Sequence, residues 1–303
     1  MDNICHTLVG AAIGEAGLQR RTRFGAAALM ISANIPDLDV LVFATDTPSV
    51  SFRRGWTHGI AAQIALPVLL AALLWLLDRR RSGRADGSPP FRAGWILLLS
   101  FVGVYTHVFL DYLNNYGVRL LTPFDWRWFY GDAVFIVDPW LWLALGAGVW
   151  LARRRHSPAL SRYALIAASV YIAATLTSAR AARGIVDERW TNWNDARPEA
   201  LMVGPRLISP VTRDVIIDAG NHYEWGSFSW PSTLELSPQQ IPKNDDRPEV
   251  AAARNDPNVR AFLVWSRFPF WTLEPVAGGT RVTVGDMRFA GRGAGFRQSV
   301  VVP

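Results

Sequence analysis

His107 and Asp111 stand four residues apart in His107-Val108-Phe109-Leu110-Asp111, inside the apolar run Gly94 to Leu113. That spacing puts both side chains on one face of a helix. Imidazole with carboxylate is the donor set of zinc and related divalent ions. An ionisable residue inside a membrane segment costs roughly 2.5–3.5 kcal/mol on insertion scales, so a pair of them points to function. Residues of the same two types recur at His6, Asp37, Asp39 and His58. These six exceed one tetrahedral site, and the count suits two divalent ions with one carboxylate bridging. Each has a structural alternative. His107 and Asp111 could be a helix-stabilising pair, Asp37 and Asp39 a loop-capping pair, His6 an interfacial histidine, and His58 a helix start behind a Thr57 cap. Cys5 reads as a small apolar residue, and His156 and His222 as ordinary solvated or packed histidines.

Arg53 and Arg54 immediately precede the His58 segment. Guanidinium forks match phosphate oxygens, which suggests an anionic substrate; snorkelling toward lipid headgroups is the alternative. Asp138-Pro139 fits a helix N-cap with a first-turn proline, or a carboxylate that orients a ligand histidine. Asp132 is read in the same supporting role.

The elements that must position these residues are apolar. Half of the 303 residues are hydrophobic, 14 are Trp, and 18% are charged. The net charge is +6, but Lys243 is the only lysine, and the arginines punctuate apolar runs without forming a stripe. That pattern argues for membrane topology and against a nucleic-acid partner. Cys5 is the only cysteine, so no intrachain disulfide can form. The N-terminus lacks a cationic n-region and an A-x-A-like cleavage site, so it is expected to be retained.

A spanning helix needs about 20 mainly apolar residues. Gly59–Leu77, Gly94–Leu113, Val134–Leu151 and Tyr163–Ser178 are candidates. Phe24–Ala44 is another, broken at Asn34, Pro36, Asp37 and Asp39, while Ile4–Leu18 suits a half-buried or re-entrant helix. Clusters at Arg20, Arg21 and Arg23, at Arg79, Arg80, Arg81, Arg84 and Arg92 around the Ser82–Pro90 loop, and at Arg153, Arg154 and Arg155 all fall on one side if taken as cytoplasmic. At 1.5 Å of rise per residue, His6, Asp37, His107 and Asp138 then lie roughly 20 Å above their cytoplasmic boundaries, with Asp111 and His58 somewhat higher. Independent core histidines have no reason to share a layer. Proline at position 36 interrupts the helix ladder, and irregular backbone at membrane depth is tolerated where it lines a cavity.

The expected architecture is therefore a mainly α, polytopic transmembrane bundle over residues 1–180, followed by a smaller β-rich extracytoplasmic domain over 185–303. In that domain Trp225, Trp230, Trp265 and Trp271 are expected to pack a small core.

The motif order His6-Thr7, Pro36-Asp37-Leu38-Asp39, Arg54-Gly55-Trp56-Thr57-His58, His107-x-x-x-Asp111 and Asn115-Tyr116-Gly117 resembles the inner-membrane-associated, LexA-binding type of metal-dependent hydrolases. The likeness extends toward Asp286-Met287-Arg288-Phe289. More distantly, an early His, an Asp, a His and a final His-x-x-x-Asp are similar to the zinc phospholipase C and S1/P1 nuclease group. That resemblance implies one zinc held by Asp37 or Asp39 with His58, His107 and Asp111, and another held by His6 with Asp111 as the bridge. The group supplies further ligands after its His-x-x-x-Asp motif, and this chain has no matching histidine there. Its N-terminal residue is also a ligand, whereas Met1 precedes His6 here by five positions.

The expected function is hydrolysis of a phosphoester, such as a lipid headgroup, at the outer face of a bacterial inner membrane by metal-activated water. Asp37, Asp39 and Asp111 would be the catalytic carboxylates, and Arg53 and Arg54 would hold the phosphate. Expected partners are membrane lipids, a phosphate-containing substrate and a regulatory protein. Two other classes compete: a regulatory or structural membrane protein with a structural metal, and an ion-coupled transporter. The outer-layer clustering and the lack of an internal repeat weigh against a transporter.

Overall fold

A computed structural model describes residues 1–80, 89–290 and 296–303. Arg81, Arg84 and most of the Ser82–Pro90 loop lie outside the described residues. The helices are α1 (Asn3–Glu15), α2 (Gly25–Ser32), α3 (Ser49–Phe52), α4 (Ile60–Arg80), α5 (Ala93–Tyr112), α6 (Pro139–Arg154), α7 (Pro158–Asn194), α8 (Pro248–Ala253) and α9 (Pro257–Trp265). The chain divides into two compact units, Met1–Leu41 with Arg53–Thr177, and Val42–Phe52 with Ser178–Pro303.

In the first unit α1 lies against α2 and α6, and α5 lies between α2 and α4. Asp2 starts α1 by accepting hydrogen bonds from the Ile4 and Cys5 amides at 3.0 and 3.1 Å, a side-chain N-cap. Small residues let the backbones approach. A Cβ on Gly103 would meet Ser32 Oγ, and would stand 2.9 Å from both the Leu29 carbonyl oxygen and the Ala33 amide nitrogen. Gly103 lies one turn before His107, so it sets how closely α5 approaches the end of α2. Gly103→Val is expected to cost about 1–3 kcal/mol through overpacking and to reduce bound metal at His107. Thermal unfolding with metal analysis in detergent checks this, and an unchanged Tm would sink it.

The Phe24–Ala44 run is broken where its polar residues are. α2 stops at Ser32, and a 3₁₀ segment, Ile35–Ala44, leaves it at an angle of 49°. Asn34 stabilises the break: its side-chain amide donates to the Met30 carbonyl at 2.8 Å and to Thr7 Oγ1 at 3.0 Å. Pro36 has no N–H to continue an α-helical ladder.

α4, α5 and α7 are long and apolar enough to cross a membrane, and the bent pair of α2 and Ile35–Ala44 is a fourth if it is one span. α4 leaves Ile64, Val68, Leu69, Leu73 and Leu76 exposed. A contiguous apolar face of that length is not what a water-exposed monomer presents. The Val134–Leu151 expectation needs correction. α6 begins only at Pro139, because Asp138 caps it by accepting from the Trp140 and Leu141 amides at 3.1 Å each. Its 16 residues span about 24 Å, short of a hydrocarbon core of about 30 Å.

The last apolar helix does not end at the boundary expected near residue 180. α7 runs without a break to Asn194. Ala182, Val186 and Trp190 recur at a spacing of four, and with Leu201, Val203, Val215, Ile217 and Phe228 they form a buried apolar cluster. An amphipathic helix continues when a neighbouring sheet buries its apolar stripe, so residues 185–194 are helical and not part of a β-rich segment.

The second unit holds two antiparallel sheets. In one, β1 (Ala200–Pro205), β2 (Thr212–Asp218), β3 (His222–Ser229) and β4 (Thr233–Leu236) follow in order, with β5 (Ile241–Pro242) also on β3. In the other, β6 (Pro269–Val276), β7 (Gly279–Asp286) and β8 (Arg297–Val302) follow in order. Trp265 and Trp271 are fully buried, whereas Trp225 is 42% exposed; the core expectation holds for the first pair and not for Trp225. At the end of β7 the buried Asp286 carboxylate accepts from Ser266 Oγ (2.8 Å), the Arg267 amide (2.7 Å) and the Phe268 amide (3.2 Å). It also accepts from Arg288 Nε at 2.8 Å and Nη2 at 2.9 Å. Burial is the largest influence and opposes the charged carboxylate, but the Arg288 charge and the hydrogen bonds from Arg288 and Ser266 together outweigh it and hold Asp286 below the ordinary carboxylate range.

Candidate metal centre

His107 is fixed from behind. Its Nδ1 lies 2.7 Å from the Ala33 carbonyl oxygen, an acceptor only, so Nδ1 carries the proton and Nε2 is a bare lone pair. The Ala33 carbonyl is available because the Asp37 amide bonds the Asn34 carbonyl instead of continuing the α-helical ladder. His58 is held in the same sense. Thr57 Oγ1 donates to Asp39 Oδ2 at 3.0 Å and stands 2.9 Å from His58 Nδ1. With its proton given to Asp39, that hydroxyl accepts from Nδ1–H, leaving His58 Nε2 bare. The two bare nitrogens are 3.1 Å apart. A proton shared between them, or a cation bound by both, satisfies the two nitrogens in this buried space.

Carboxylates complete the group. Asp111 Oδ2 lies 3.2 Å from His58 Nε2 and 3.6 Å from His107 Nε2, and Asp37 Oδ1 lies 3.9 Å from His107 Nε2. One donor atom from each of Asp37, His58, His107 and Asp111 falls within 4.8 Å of all the others, and all four residues are buried. With zinc–nitrogen distances of about 2.0–2.1 Å, tetrahedral donors stand about 3.3 Å apart. Asp37 Oδ1 is buried without a hydrogen-bond partner. The donor set, its spacing and this unsatisfied oxygen fit a divalent ion.

The six residues expected from sequence thus take three positions. Four converge. His6 stands beside them, its ring stacked on His107 with centroids 3.8 Å apart and its Nε2 3.3 Å from Asp111 Oδ1; neither ring nitrogen has a hydrogen-bond partner. Asp39 faces away from the four donors, accepting from the Arg54 amide at 2.7 Å and from Thr57. It holds His58 through that hydroxyl. Asp138 caps α6 and accepts from the Tyr171 hydroxyl at 2.9 Å. Asp132 is buried at a positive φ of 49°.

The arginines are committed to carboxylates. Arg54 forks Asp111, with Nε 2.9 Å from Oδ2 and Nη2 3.0 Å from Oδ1, and its Nη1 donates to Asn114 Oδ1 at 3.1 Å. Arg53 lies 3.4 Å from Asp39 and 3.8 Å from Asp37. The α-amino group of Met1 also contacts Asp111 Oδ1. Two supporting groups escaped the sequence reading, Asn114 and the Ala33 carbonyl, while Thr57, read there as a helix cap, instead links Asp39 to His58. Asn114 lies two residues past the end of α5, where helical spacing gives no signal. A backbone carbonyl has none either.

The sequence profile of the YdjM inner membrane protein family matches residues 1–182, a stretch that contains every residue of this centre. The chain belongs to that family. It is also 23% identical over 271 residues to the uncharacterized protein YfhP of Bacillus subtilis (strain 168), covering 88% of this chain and 77% of that one. No solved structure matches. The family is named for its location, so membership identifies an inner membrane protein with a buried cluster able to hold a metal and leaves its chemistry to the residues.

Proposed function

We propose that this protein is a multi-pass inner membrane hydrolase that uses a divalent metal, most simply zinc, to cleave a phosphoester near the outer membrane surface. The supporting observation is the pair of bare Nε2 atoms of His58 and His107, 3.1 Å apart beside two carboxylates. Asp37, His58, His107 and Asp111 would hold one ion, and His6 with Asp111 would serve a second. When bound, the metal supplies Lewis acidity toward a phosphoryl oxygen and toward water. With Oδ1 given to the ion, the other carboxylate oxygen of Asp37 would be left to take the proton of an attacking water. Asp39 and Thr57 hold the His58 ring, the Ala33 carbonyl holds His107, and Arg54 balances the charge of Asp111. The arginine pattern puts residues 180–303 on the extracytoplasmic side.

A second reading has its own support. Asp111 already meets the Arg54 fork and the Met1 amino group, so the centre could be a purely structural ion-pair network. Detergent-purified protein separates the two. Hydrolysis predicts a near-stoichiometric divalent metal and turnover of a phosphomonoester or phosphodiester that chelation abolishes. Absence of both metal and turnover sinks the hydrolase and favours the ion-pair network.

A further inference from the structure

Charge matching around the centre leaves one cation over. Arg53 and Arg54 both face site carboxylates at 3.4 Å or closer. Arg119 does not. It lies in the connection between α5 and α6, where Val118 and Phe129 pair as an antiparallel bridge, and its amide donates to the Arg54 carbonyl at 2.9 Å. Its residue surface is 5% exposed, and its Nε has no hydrogen-bond partner. The guanidinium lies 4.6 Å from the Trp128 ring centroid and 5.4 Å from that of Trp126. Burial lowers its pKa, and the Tyr130 phenol is the group that opposes this.

Two aromatic faces do not compensate such burial. A cation–π contact, even desolvated, returns only part of what burying an ion costs. Other buried polar atoms of the same segment are also without partners. Asn114 Nδ2, on the amide that receives Arg54, and Thr122 Oγ1, three residues beyond Arg119, are buried without hydrogen-bond partners. A guanidinium and an amide are donors that only an acceptor can satisfy. The rim of the same segment is aromatic and open: Phe124 is 80% exposed, and Trp126 and Trp56, both about half exposed, meet edge to face at 5.2 Å. Exposed tryptophans of membrane proteins gather at headgroup level, where phosphate is the abundant anion.

We propose that Arg119 is the anion-holding residue beside this centre, receiving the phosphate of a phosphate-bearing molecule, while Arg53 and Arg54 serve the site's own carboxylates. The choice of phosphate rests on the proposed phosphoester chemistry; the missing counter-ion does not. Arg119 forms the floor of the subsite, its guanidinium lies against Trp126 and Trp128, and the exposed aromatic rim admits a lipid-like body.

The test is calorimetric titration of the detergent-purified full chain with inorganic phosphate, short-chain phosphatidate and short-chain phosphatidylcholine, with metal content measured alongside. The wild type is expected to bind phosphatidate. Arg119→Gln should weaken that binding at least about tenfold by removing charge-assisted hydrogen bonds, with metal content unchanged. Arg119→Lys keeps the charge but not the fork and should fall between them; if the glutamine variant does not fold, the lysine variant decides alone. Arg119-dependent binding of both phosphate and phosphatidate identifies the phosphate group as the ligand, and binding of phosphatidate alone identifies a lipid headgroup. A wild type that binds no phosphate compound, or variants that bind as well as the wild type, overturn the proposal. Arg119-dependent binding without metal or turnover overturns hydrolysis and leaves the subsite standing.

Discussion

Purified His107→Ala protein is expected to lose its divalent metal, with affinity falling by more than about 100-fold. Mutation of residues that merely orient a ligand costs about 10–100-fold, and His107 provides a donor atom itself. Its Nε2 is within 3.1 Å of His58 Nε2 and 3.6 Å of Asp111 Oδ2, so its loss removes one of the two convergent imidazoles of the group. The alanine also releases the Ala33 carbonyl, which has His107 Nδ1 at 2.7 Å. Metal analysis by mass spectrometry, with His156→Ala as the exposed control, reads the effect directly. Equal metal in both variants would remove the centre from consideration.

Asp286→Ala should be the most destabilising single change in the second unit, costing about 3–5 kcal/mol, the range for removing one partner of a buried ion pair. The substitution leaves Arg288 buried beside Trp265, with its guanidinium 4.5 Å from that ring, and strips acceptors from the amides of Arg267, Phe268 and Arg288. For a unit of this size, a fall in Tm on the order of 10 °C follows. The pH dependence has a fixed sign. Because Arg288 and Ser266 hold the folded pKa below the ordinary value, the carboxylate's stabilisation is fully present above the unfolded value of about 3.9 and is lost as pH falls through the folded one. Thermal unfolding from pH 7 into the acid range should show this loss in the wild type, with a flatter limb in Asp286→Ala. Parallel curves would contradict it.

The two predictions rest on residues that differ in how legible they were. The centre announced itself by cost: histidines and carboxylates in apolar runs are conspicuous, and counting from the arginine clusters gave them a common depth. Which of six residues converge was not legible. Asp37 and Asp39 are two positions apart in one irregular segment, and only the backbone geometry after Asn34 turns one toward His107 and the other toward Thr57. Arg54 reads as a phosphate ligand by type, yet it forks Asp111, a contact across 57 residues that no local pattern encodes. The limits of α6 and α7 were missed for opposite reasons. An N-cap at Asp138 cut the first short, and a sheet that buries Val186 and Trp190 carried the second onward. Asp286 with Arg288 looked like a family motif near the chain end; its role as a knot of buried hydrogen bonds needed the sheet around it.

The carbonyl of Ala33 meets His107 because no backbone amide occupies it. A straight helix through Pro36 would offer it to the backbone four residues on, while the bent one leaves it to His107. The 49° break is therefore a mechanical part of the ligand. A force that straightens this segment slackens the imidazole, and by reciprocity an occupied centre must stiffen the bend.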